Sequence, residues 1–446
     1  MAELFDLTAT EIVKFVHDRE LSSTDVVESL LTRIEALEPK LHAWVAVDRE
    51  VALAQARARD ADTTSSGLLQ GVPIGFKDIY HVAGVHTTAC SKVYADYVPD
   101  YDATTVVSSR NAGAIILGKS VTTEFAALDP SPTRNPWNIS HTPGGSSSGS
   151  AAAVAARMCP LAFGSQTVGS VLRPAAYNGV VGLKPTFGRV SRHGVVPLAW
   201  SFDTVGWMSR SVEDSALLLQ VTAGHDISDH TSSKLPTLEY IRALRDPAPP
   251  RIGVLKGYFH EHADQETRDH LASMVRMLER AGASVEEVTS LADFNQSYAD
   301  QFTILTTEAA SFHQPMYERQ AMDYQPKIRE MIATGFKTDG VTYSKAQERR
   351  QIFIVELEKT VELADVILTP STPSPAPGDI TNTGNPMFQG PWTSAGLPVI
   401  TLPSGISDSG LPLGIHLAAS SFAEDRLLSA AAWCESVIGF SSTPPI

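Results

Sequence analysis

The sequence predicts an α/β fold in a single large domain, and three observations lead to this prediction. Short apolar runs typical of buried strands alternate with longer stretches whose apolar residues recur at helical spacing. Residues 249–288 follow the order strand, helix, strand, which implies a parallel connection between the two strands. The 446 residues contain no internal repeat and no low-complexity linker, so nothing marks a boundary between domains.

The N-terminal stretch, about residues 1–60, is predicted to be helical. Apolar residues recur at helical spacing over residues 8–37, and residues 22–25 carry the N-cap signal of a second helix. Residues 42–59 are predicted to continue as a third helix. We expect these helices to pack on one side of the core.

Predicted strands and helices alternate from there to the end of the chain. Strands are predicted within residues 69–80, 114–118, 159–164, 251–255, 283–288, 365–370, 397–403 and 413–417. Helices are predicted over residues 104–110, 151–157, 211–220, 265–281 and 422–437 and over most of 293–359. Residues 129–143 contain four prolines and are predicted to be irregular.

Composition and charge argue against several classes of protein. The chain is 43% hydrophobic and 19% charged, which is typical of a soluble protein with a large core. A formal net charge of -15 argues against general nucleic-acid binding. Cys90, Cys159 and Cys434 are too few and too widely spaced for a disulfide framework or a zinc site. With no visible signal peptide and no membrane-spanning run, we expect a cytoplasmic protein without a membrane partner.

Two clusters of Gly and Ser flank an alanine-rich run between residues 142 and 175. Residues 144–150 are predicted to form a loop that leads into a helix, since a serine at its start is a good N-cap. Residues 164–170 are predicted to form a second loop, after a short buried strand. Each loop presents serine hydroxyls and backbone N–H groups together, and a nucleophile with its oxyanion site needs both.

Lys77 lies inside an apolar predicted strand, in the segment G-V-P-I-G-F-K-D. Burying an ammonium group is costly unless it is paired or neutral, and burial lowers the pKa of a lysine. Two interpretations therefore stay open. Lys77 is either a charged lysine paired with Asp78 or a neutral catalytic base.

The first Gly/Ser cluster also fits the G-x-S-x-G nucleophile elbow of α/β-hydrolase esterases, with Ser147 as nucleophile. That elbow should follow a strongly apolar strand, and the preceding segment N-I-S-H-T-P-G is not one. The sequence lacks the phosphate-binding pattern G-x-x-x-x-G-K-[ST] and the metal-binding pattern H-E-x-x-H, so no metal and no cofactor are expected.

A larger set of motifs resembles the amidase signature family of serine hydrolases. The matching segments are G-V-P-I-G-F-K-D (71–78), E-F-A (124–126), N-P-W (135–137), P-G-G-S-S-S-G-S-A-A-A-V-A (143–155), Q-T-V-G-S-V-L-R-P-A (166–175), G-L-K-P-T-F-G-R-V-S-R-H-G (182–194), A-G-L-P-V-I-T-L-P (395–403) and G-L-P-L-G-I-H-L (410–417). The resemblance covers nearly the whole chain. It implies one domain over residues 1–446, with a central mixed β-sheet covered by helices on both faces.

The resemblance also implies a Ser–Ser–Lys triad. Lys77 is then the base, Ser146 is the bridging serine after a cis peptide bond, and Ser170 is the nucleophile. A neutral Lys77 would accept a proton from Ser146, and Ser146 would accept one from Ser170. The backbone N–H groups that form the oxyanion hole are those of Thr167, Val168, Gly169 and Ser170.

The chain departs from the family pattern near this site. Val168 stands where the family usually has glycine, and a β-branched residue resists positive φ, so we expect a reshaped oxyanion loop or a narrower pocket. Gln166 replaces a commoner Asp, Trp207 a frequent Pro and His416 a frequent Gln. The candidate substrate-binding residues are Thr122, Gly144, Gly145 and Arg173. Arg173 has two possible roles, a structural one or the binding of a substrate carboxylate.

The resemblance predicts a stand-alone amidohydrolase that cleaves a small-molecule or aryl amide, with carbamates and esters as further substrate classes. One alternative is the A subunit of a tRNA-dependent amidotransferase, which works with partner subunits; the departures argue against it. Another is a binding protein that has lost catalysis, and the occupied triad positions argue against that. A homodimer remains a possible assembly.

Overall fold

The β-sheet of the protein is long and mixed. In the computed structural model, which describes residues 3–62 and 67–446, it contains eleven strands. The strands are β1 (Trp44–Val47), β2 (Pro73–Lys77), β3 (Ile115–Ser120), β4 (Leu161–Gln166), β5 (Val181–Lys184), β6 (Thr204–Ser209), β7 (Arg251–Leu255), β8 (Ser284–Val288), β9 (Val366–Pro370), β10 (Val399–Ile406) and β11 (Pro412–Ala418). Their order across the sheet is β1-β3-β2-β4-β6-β5-β10-β11-β9-β7-β8.

Two parallel blocks of strands lie on either side of an antiparallel centre. Strands β3, β2 and β4 run parallel to one another, and so do β8, β7 and β9. The central strands β6, β5, β10 and β11 each run antiparallel to their neighbours. The expected mixed sheet is confirmed, and so is the parallel pairing predicted for the two strands of residues 249–288.

Helices cover both faces of the sheet. They are α1 (Ala9–His17), α2 (Ser23–Leu41), α3 (Arg49–Ala61), α4 (Thr104–Asn111), α5 (Ser148–Ala155), α6 (Leu172–Asn178), α7 (Val212–Thr222), α8 (Tyr258–His262), α9 (Gln265–Ala281), α10 (Phe294–Gln320), α11 (Pro326–Gly335), α12 (Gly340–Val361), α13 (Gly390–Ala395) and α14 (Glu424–Ile438). Across the described residues, no helix combines the length and apolar character needed to cross a bilayer.

Side chains that alternate along a strand enter different apolar cores. On β3, Ile115 and Leu117 pack with residues of α2, α3 and α5. Ile116, between them, packs in the core that contains residues of α4, α7 and α14. Successive side chains of a strand point to opposite faces, so these contacts place helices on both sides of the sheet. This arrangement confirms the expected layering.

The helix predicted over residues 42–59 is wrong in its first part. Helix α2 ends at Leu41, and the next residue, His42, caps it with a left-handed backbone, φ 51°. The next residues form β1, which pairs antiparallel with β3 at the edge of the sheet. Asp48 then accepts a hydrogen bond from the Val51 N–H and starts α3. A four-residue strand between two helices is too short to show its own periodicity. Residues 1 and 2 of the predicted N-terminal stretch lie outside the described residues.

Candidate active site

Lys77 is the last residue of β2 and is fully buried. Its Nζ lies 2.7 Å from the Ser146 Oγ and 2.9 Å from the Ser165 Oγ. Among the described residues it forms no ion pair. Asp78, the partner that one interpretation of the sequence gave it, instead lies 3.0 Å from the Nζ of Lys119. The predicted ion pair between Lys77 and Asp78 is therefore wrong. In the described part of the chain, the Lys77 amine contacts two hydroxyl groups and no carboxylate.

Burial lowers the pKa of Lys77 to about 7, because the apolar surroundings disfavour its ammonium form. The carboxylate of Asp203 acts in the opposite direction and raises the lysine pKa. Burial raises the pKa of Cys90 to about 12, so that thiol stays protonated near neutral pH. Lys77 is therefore able to exist as a neutral amine at neutral pH and to accept a proton.

The loop before α5 brings Ser146 to Lys77. The peptide bond between Gly145 and Ser146 is cis, as the sequence resemblance implied. The Ser147 N–H donates to the Ser170 carbonyl oxygen at 3.2 Å, which ties this loop to residue 170. Gly144 has φ +79°, and a Cβ there would lie 2.9 Å from the Pro174 Cα, so the position requires glycine.

Ser147 does not have the geometry of an elbow nucleophile. It is fully buried, and its Oγ lies 3.4 Å from the carbonyl oxygen and 3.3 Å from the N atom of Ser165. It also precedes helix α5 without following a strand, since residues 142–147 form a loop. The elbow prediction with Ser147 as nucleophile is therefore wrong.

The loop that connects β4 to α6, residues 167–170, has all its carbonyl groups turned into the protein. The Thr167 carbonyl accepts a hydrogen bond from the Gln301 side chain, and the Val168 carbonyl accepts one from the Thr393 hydroxyl. The Gly169 carbonyl accepts from the Arg173 N–H, and the Ser170 carbonyl accepts from the Ser147 N–H. The N–H groups of all four loop residues, 167–170, make no hydrogen bond to any described residue. This arrangement leaves four backbone donors for an external oxyanion.

Gln166 and Thr393 form a bridge that holds this loop. The Gln166 Oε1 accepts from the N–H groups of Val171 and Leu172, at 2.8 and 3.0 Å. The Gln166 Nε2 donates to the Thr393 Oγ1 at 2.9 Å, and that hydroxyl donates to the Val168 carbonyl oxygen at 2.7 Å. Val168 does not adopt a positive φ, so a β-branched residue fits the backbone of this loop.

Ser170 opens into a cavity of about 170 Å³. Its walls are largely apolar and aromatic and include Leu128, Tyr298, Phe302, Leu305 and Met331. None of the described residues that line it is an Asp or a Glu. The Ser170 hydroxyl makes no hydrogen bond within the described residues, so it is free to face a ligand. A neutral, apolar group of small size fits such a cavity best.

A second cavity, of about 310 Å³, adjoins the first and shares Ala126, Thr167 and Leu198 with it. Ser165, the other hydroxyl contact of Lys77, lies in its wall. Asp203 also lines it and accepts a hydrogen bond from the Thr167 hydroxyl at 2.6 Å. The two cavities thus meet at the oxyanion loop.

The predicted substrate-binding residues lie mostly outside the cavity walls. The Thr122 hydroxyl donates to the Thr123 carbonyl oxygen, and neither Gly144 nor Gly145 lines either cavity. Arg173 lines the first cavity, but its guanidinium donates to the carbonyl oxygens of Gly145 and Gly384 at 2.6 and 2.8 Å. It also donates to the Thr383 Oγ1 at 3.0 Å. These contacts favour the structural role of Arg173.

Sequence reasoning missed several residues of the site. Tyr298, Gln301, Phe302 and Leu305 come from α10, which was predicted only as a polar helix. Strand alternation offered one usable signal, because Ser165 and Thr167 are two residues apart at the end of β4 and both line the second cavity. Thr393, in α13, gave no signal in the sequence.

Comparisons with known proteins point to one family. The Amidase family model matches residues 25–428. The A subunit of glutamyl-tRNA(Gln) amidotransferase from Geobacter metallireducens is 37% identical over 96% of both chains. The corresponding protein of Halalkalibacterium halodurans is 36% identical over 99% of both.

Solved structures agree with that result. Native peptide amidase from Stenotrophomonas maltophilia superposes with a TM-score of 0.88 at 29% identity, over 98% of both chains. The 6-aminohexanoate cyclic dimer hydrolase, solved with its substrate, has a TM-score of 0.89 at 27% identity, over 100% of this chain and 99% of that one. A chain from a vestigial complex linked to the origins of an s-triazine catabolic enzyme has a TM-score of 0.91 at 30% identity, over 98% of this chain and 100% of that one.

Proposed function

The chain belongs to the amidase signature family, whose members act on carbon–nitrogen bonds, and from this we propose that it hydrolyses a small-molecule or aryl amide through an acyl-enzyme on Ser170. One observation carries the proposal. Lys77, whose pKa burial lowers to about 7, has its Nζ 2.7 Å from the Ser146 Oγ and no carboxylate partner among the described residues. A neutral lysine against a serine hydroxyl is the base that a hydroxyl nucleophile requires.

Acylation begins with proton transfer away from Ser170. Neutral Lys77 takes the Ser146 hydroxyl proton as Ser146 takes the Ser170 proton, which requires the Ser170 hydroxyl to turn toward Ser146 when the substrate binds. The Ser170 Oγ then attacks the carbonyl carbon of the amide. The carbonyl oxygen becomes an oxyanion, which the free N–H groups of residues 167–170 stabilise. These N–H groups are already oriented for that role, because hydrogen bonds from other parts of the protein hold the carbonyl groups of the same loop.

The tetrahedral intermediate then collapses. The C–N bond breaks, the leaving nitrogen takes a proton from Ser146, and the Lys77 ammonium returns a proton to Ser146. Water next attacks the acyl carbon of the ester on Ser170, with the same relay accepting its proton. The acid is released, and Ser170 regains its hydroxyl proton from Ser146. One water is consumed for each amide bond that is cleaved.

The first cavity supports an uncharged acyl group. Its volume of about 170 Å³ is close to that of an engineered apolar cavity that holds benzene, about 150 Å³. Arg173 is a cation in its wall, and that guanidinium already has three acceptors. These three contacts orient the guanidinium toward the loops of Gly145 and Gly384, and the apolar side chains that make up most of the wall favour an uncharged acyl group.

Replacing Ser170 with alanine tests the proposal. We expect Ser170→Ala to abolish amide hydrolysis while the protein stays folded, and Ser147→Ala to lose much less activity, because Ser147 faces the backbone of Ser165. A fluorophosphonate probe should label Ser170, as mapped by peptide mass spectrometry. A folded Ser170→Ala protein with full activity, or a label on Ser147, would refute this mechanism.

The curated relatives favour a second candidate, in which the chain is the amide-cleaving component of a tRNA-dependent amidotransferase. An amide donor that is a free amino acid carries an ammonium group, and no carboxylate in the described part of the chain lines the first cavity to pair with it. The two candidates differ in their need for partners. Hydrolysis of a neutral amide by the purified chain alone supports the stand-alone enzyme. Co-purified partner proteins, with release of ammonia from glutamine only in their presence, support the amidotransferase.

A further inference from the structure

The second cavity reaches the lysine of the proposed relay through one serine, Ser165. Lys77 contacts Ser165 at 2.9 Å, and Ser165 lines this second cavity but not the first. Ser170, by contrast, lines the first cavity but not the second. The nucleophile therefore lines one chamber and a hydroxyl partner of Lys77 lines the other, and the two chambers share Thr167.

This division orients an amide substrate. The carbonyl carbon must bond to the Ser170 Oγ, so the acyl group belongs in the first cavity. The nitrogen must receive its proton from the relay, so the nitrogen and its substituent point toward Lys77 and the second cavity. The oxyanion loop separates the two chambers and binds the carbonyl oxygen at their junction.

Apolar side chains make up much of the wall of the second cavity, which also includes one exposed tryptophan. Ile79, Val196, Leu198 and Val205 form much of its inner wall. Trp200, which is 53% exposed, lies at its opening. A volume of about 310 Å³ is roughly twice that of an engineered cavity that holds benzene, so a substituted aromatic ring fits. An exposed tryptophan beside such an opening is suited to stack on that ring.

The two carboxylates and the arginine of this cavity already make hydrogen bonds within the described residues. Asp203 accepts from the Thr167 hydroxyl and from the N–H groups of Leu198 and Ala199. Asp229 accepts from the N–H of Arg192 and lies 3.8 Å from that residue's Nε. The Arg192 guanidinium also donates to the carbonyl oxygens of Trp200 and Asp203. A cationic amine would thus compete with existing hydrogen bonds, whereas an uncharged one need not.

We propose that the second cavity is the leaving-amine site and that it takes an aromatic amine, so the favoured substrates are N-aryl or N-arylmethyl amides. The inference rests on the proposed function and deepens it. When the C–N bond breaks, the nitrogen accepts one proton from Ser146 and leaves as the free amine. The acyl carbon stays bonded to Ser170 until water displaces it.

The test compares two substrates that share an acyl group, propanamide and N-phenylpropanamide. Val195, half-buried in the wall of the second cavity, is changed to phenylalanine to fill that chamber. We expect Val195→Phe to lower the ratio of kcat/KM for the anilide to kcat/KM for propanamide about 10- to 100-fold, because the added ring occupies the space of the aniline. Trp200→Ala, a change at an exposed side chain, should lower the same ratio about 3- to 10-fold.

Two matched variants complete the design. Leu128→Phe narrows the first cavity, so it should lower kcat/KM for both substrates and leave their ratio unchanged. Val51→Phe makes the same substitution as Val195→Phe at an exposed position of α3, away from both cavities, and should change neither rate. A ratio that stays constant in Val195→Phe and Trp200→Ala, or that falls in Leu128→Phe, overturns the assignment of the amine site. A wild-type chain that hydrolyses neither substrate overturns the proposed function, and the inference with it.

Discussion

Two buried lysines on neighbouring strands of this protein have opposite environments. Lys77 ends β2 and Lys119 lies on β3, the strand parallel to it, where Lys119 pairs with Phe76. Both side chains are almost completely excluded from solvent. The ammonium of Lys119 lies 3.0 Å from the Asp78 carboxylate and 2.8 Å from the Thr87 hydroxyl. Lys77 contacts two serine hydroxyls and, among the residues that the structure describes, no carboxylate.

The difference between them shows how one residue type serves two purposes. Burial lowers the pKa of both lysines, but the charge and hydrogen bond of Asp78 oppose that effect at Lys119. Lys119 is therefore a structural cation, whereas Lys77 is able to lose its proton near pH 7. Asp78, although adjacent to Lys77 in sequence, serves the other lysine.

A third lysine shows that a lowered pKa alone does not indicate a base. Burial also lowers the pKa of Lys184 to about 7. Its Nζ donates to the Pro185 carbonyl oxygen at 2.9 Å, and within the described residues it makes no hydrogen bond to a hydroxyl group. What sets Lys77 apart is the pair of serines within hydrogen-bonding distance.

Loss of the Lys77 amine should have the largest effect. We expect Lys77→Ala to lower kcat/KM about 1,000-fold or more, because the nucleophile loses its base. Lys77→Arg should be equally inactive, since a guanidinium stays protonated and cannot accept a proton. Steady-state kinetics on the same amide measures both. An arginine variant near wild-type activity would show that the two lysines do not differ in function.

The pH dependence of the wild type sharpens this test. The pKa of Lys77 is lowered, so its neutral form dominates above about pH 7 and its ammonium form below. kcat/KM should therefore rise with pH through about 7 and reach a plateau on the alkaline side. The residual activity of Lys77→Ala should lack this rise. A rise that persists in the alanine variant would assign the titration to another group.

Replacing each lysine with methionine should change stability in opposite directions. Lys119→Met leaves Asp78 as a buried charge without its partner, and we expect the free energy of unfolding to fall by about 3–5 kcal/mol. Lys77→Met removes a lysine that is costly to bury, and we expect the free energy of unfolding to rise by roughly 1–3 kcal/mol at pH 7. One unit of pKa shift corresponds to about 1.4 kcal/mol, and the loss of the contacts with two hydroxyl groups offsets part of that gain.

The expected stabilisation by Lys77→Met follows from proton binding. An unfolded lysine titrates near 10.5 and folded Lys77 near 7, so between these values the unfolded chain binds the extra proton. Wild-type stability should therefore rise with pH over this window, and Lys77→Met should show a smaller rise. Urea unfolding of the wild type and of Lys77→Met, each at pH 7 and pH 9, measures the two rises in stability. A destabilised Lys77→Met protein would place Lys77 with Lys119 as a structural residue.

A smaller effect should come from the bridge that holds the oxyanion loop next to the Lys77 relay. Thr393→Val removes the hydroxyl that contacts the Val168 carbonyl oxygen, and we expect kcat to fall about 10-fold with KM nearly unchanged. Thr393→Ser keeps a hydroxyl and should restore most of kcat. Equal losses in the serine and valine variants would indicate a packing role for Thr393 instead.

Much of the fold was predictable because it depends on local patterns. The bounds of β7 and of α9, with its Gly282 cap, match the residues predicted as strand and helix. The sequence did not predict β6 or α6, which follow no clear period. Strand β1 was missed because its pairing with β3, and not its four residues alone, makes it a strand.

The sequence alone determined the α/β class, the family resemblance, and the lysine and serines on which the proposed chemistry depends. The tertiary structure decided which lysine faces a carboxylate, which serine faces a cavity, and which residues of α10 and α13 line or support the site. The reason is physical. Periodicity and caps are properties of neighbouring residues, whereas a pKa or a cavity depends on groups that packing brings together from distant parts of the chain. Lys77 and Ser146, for instance, are 69 residues apart.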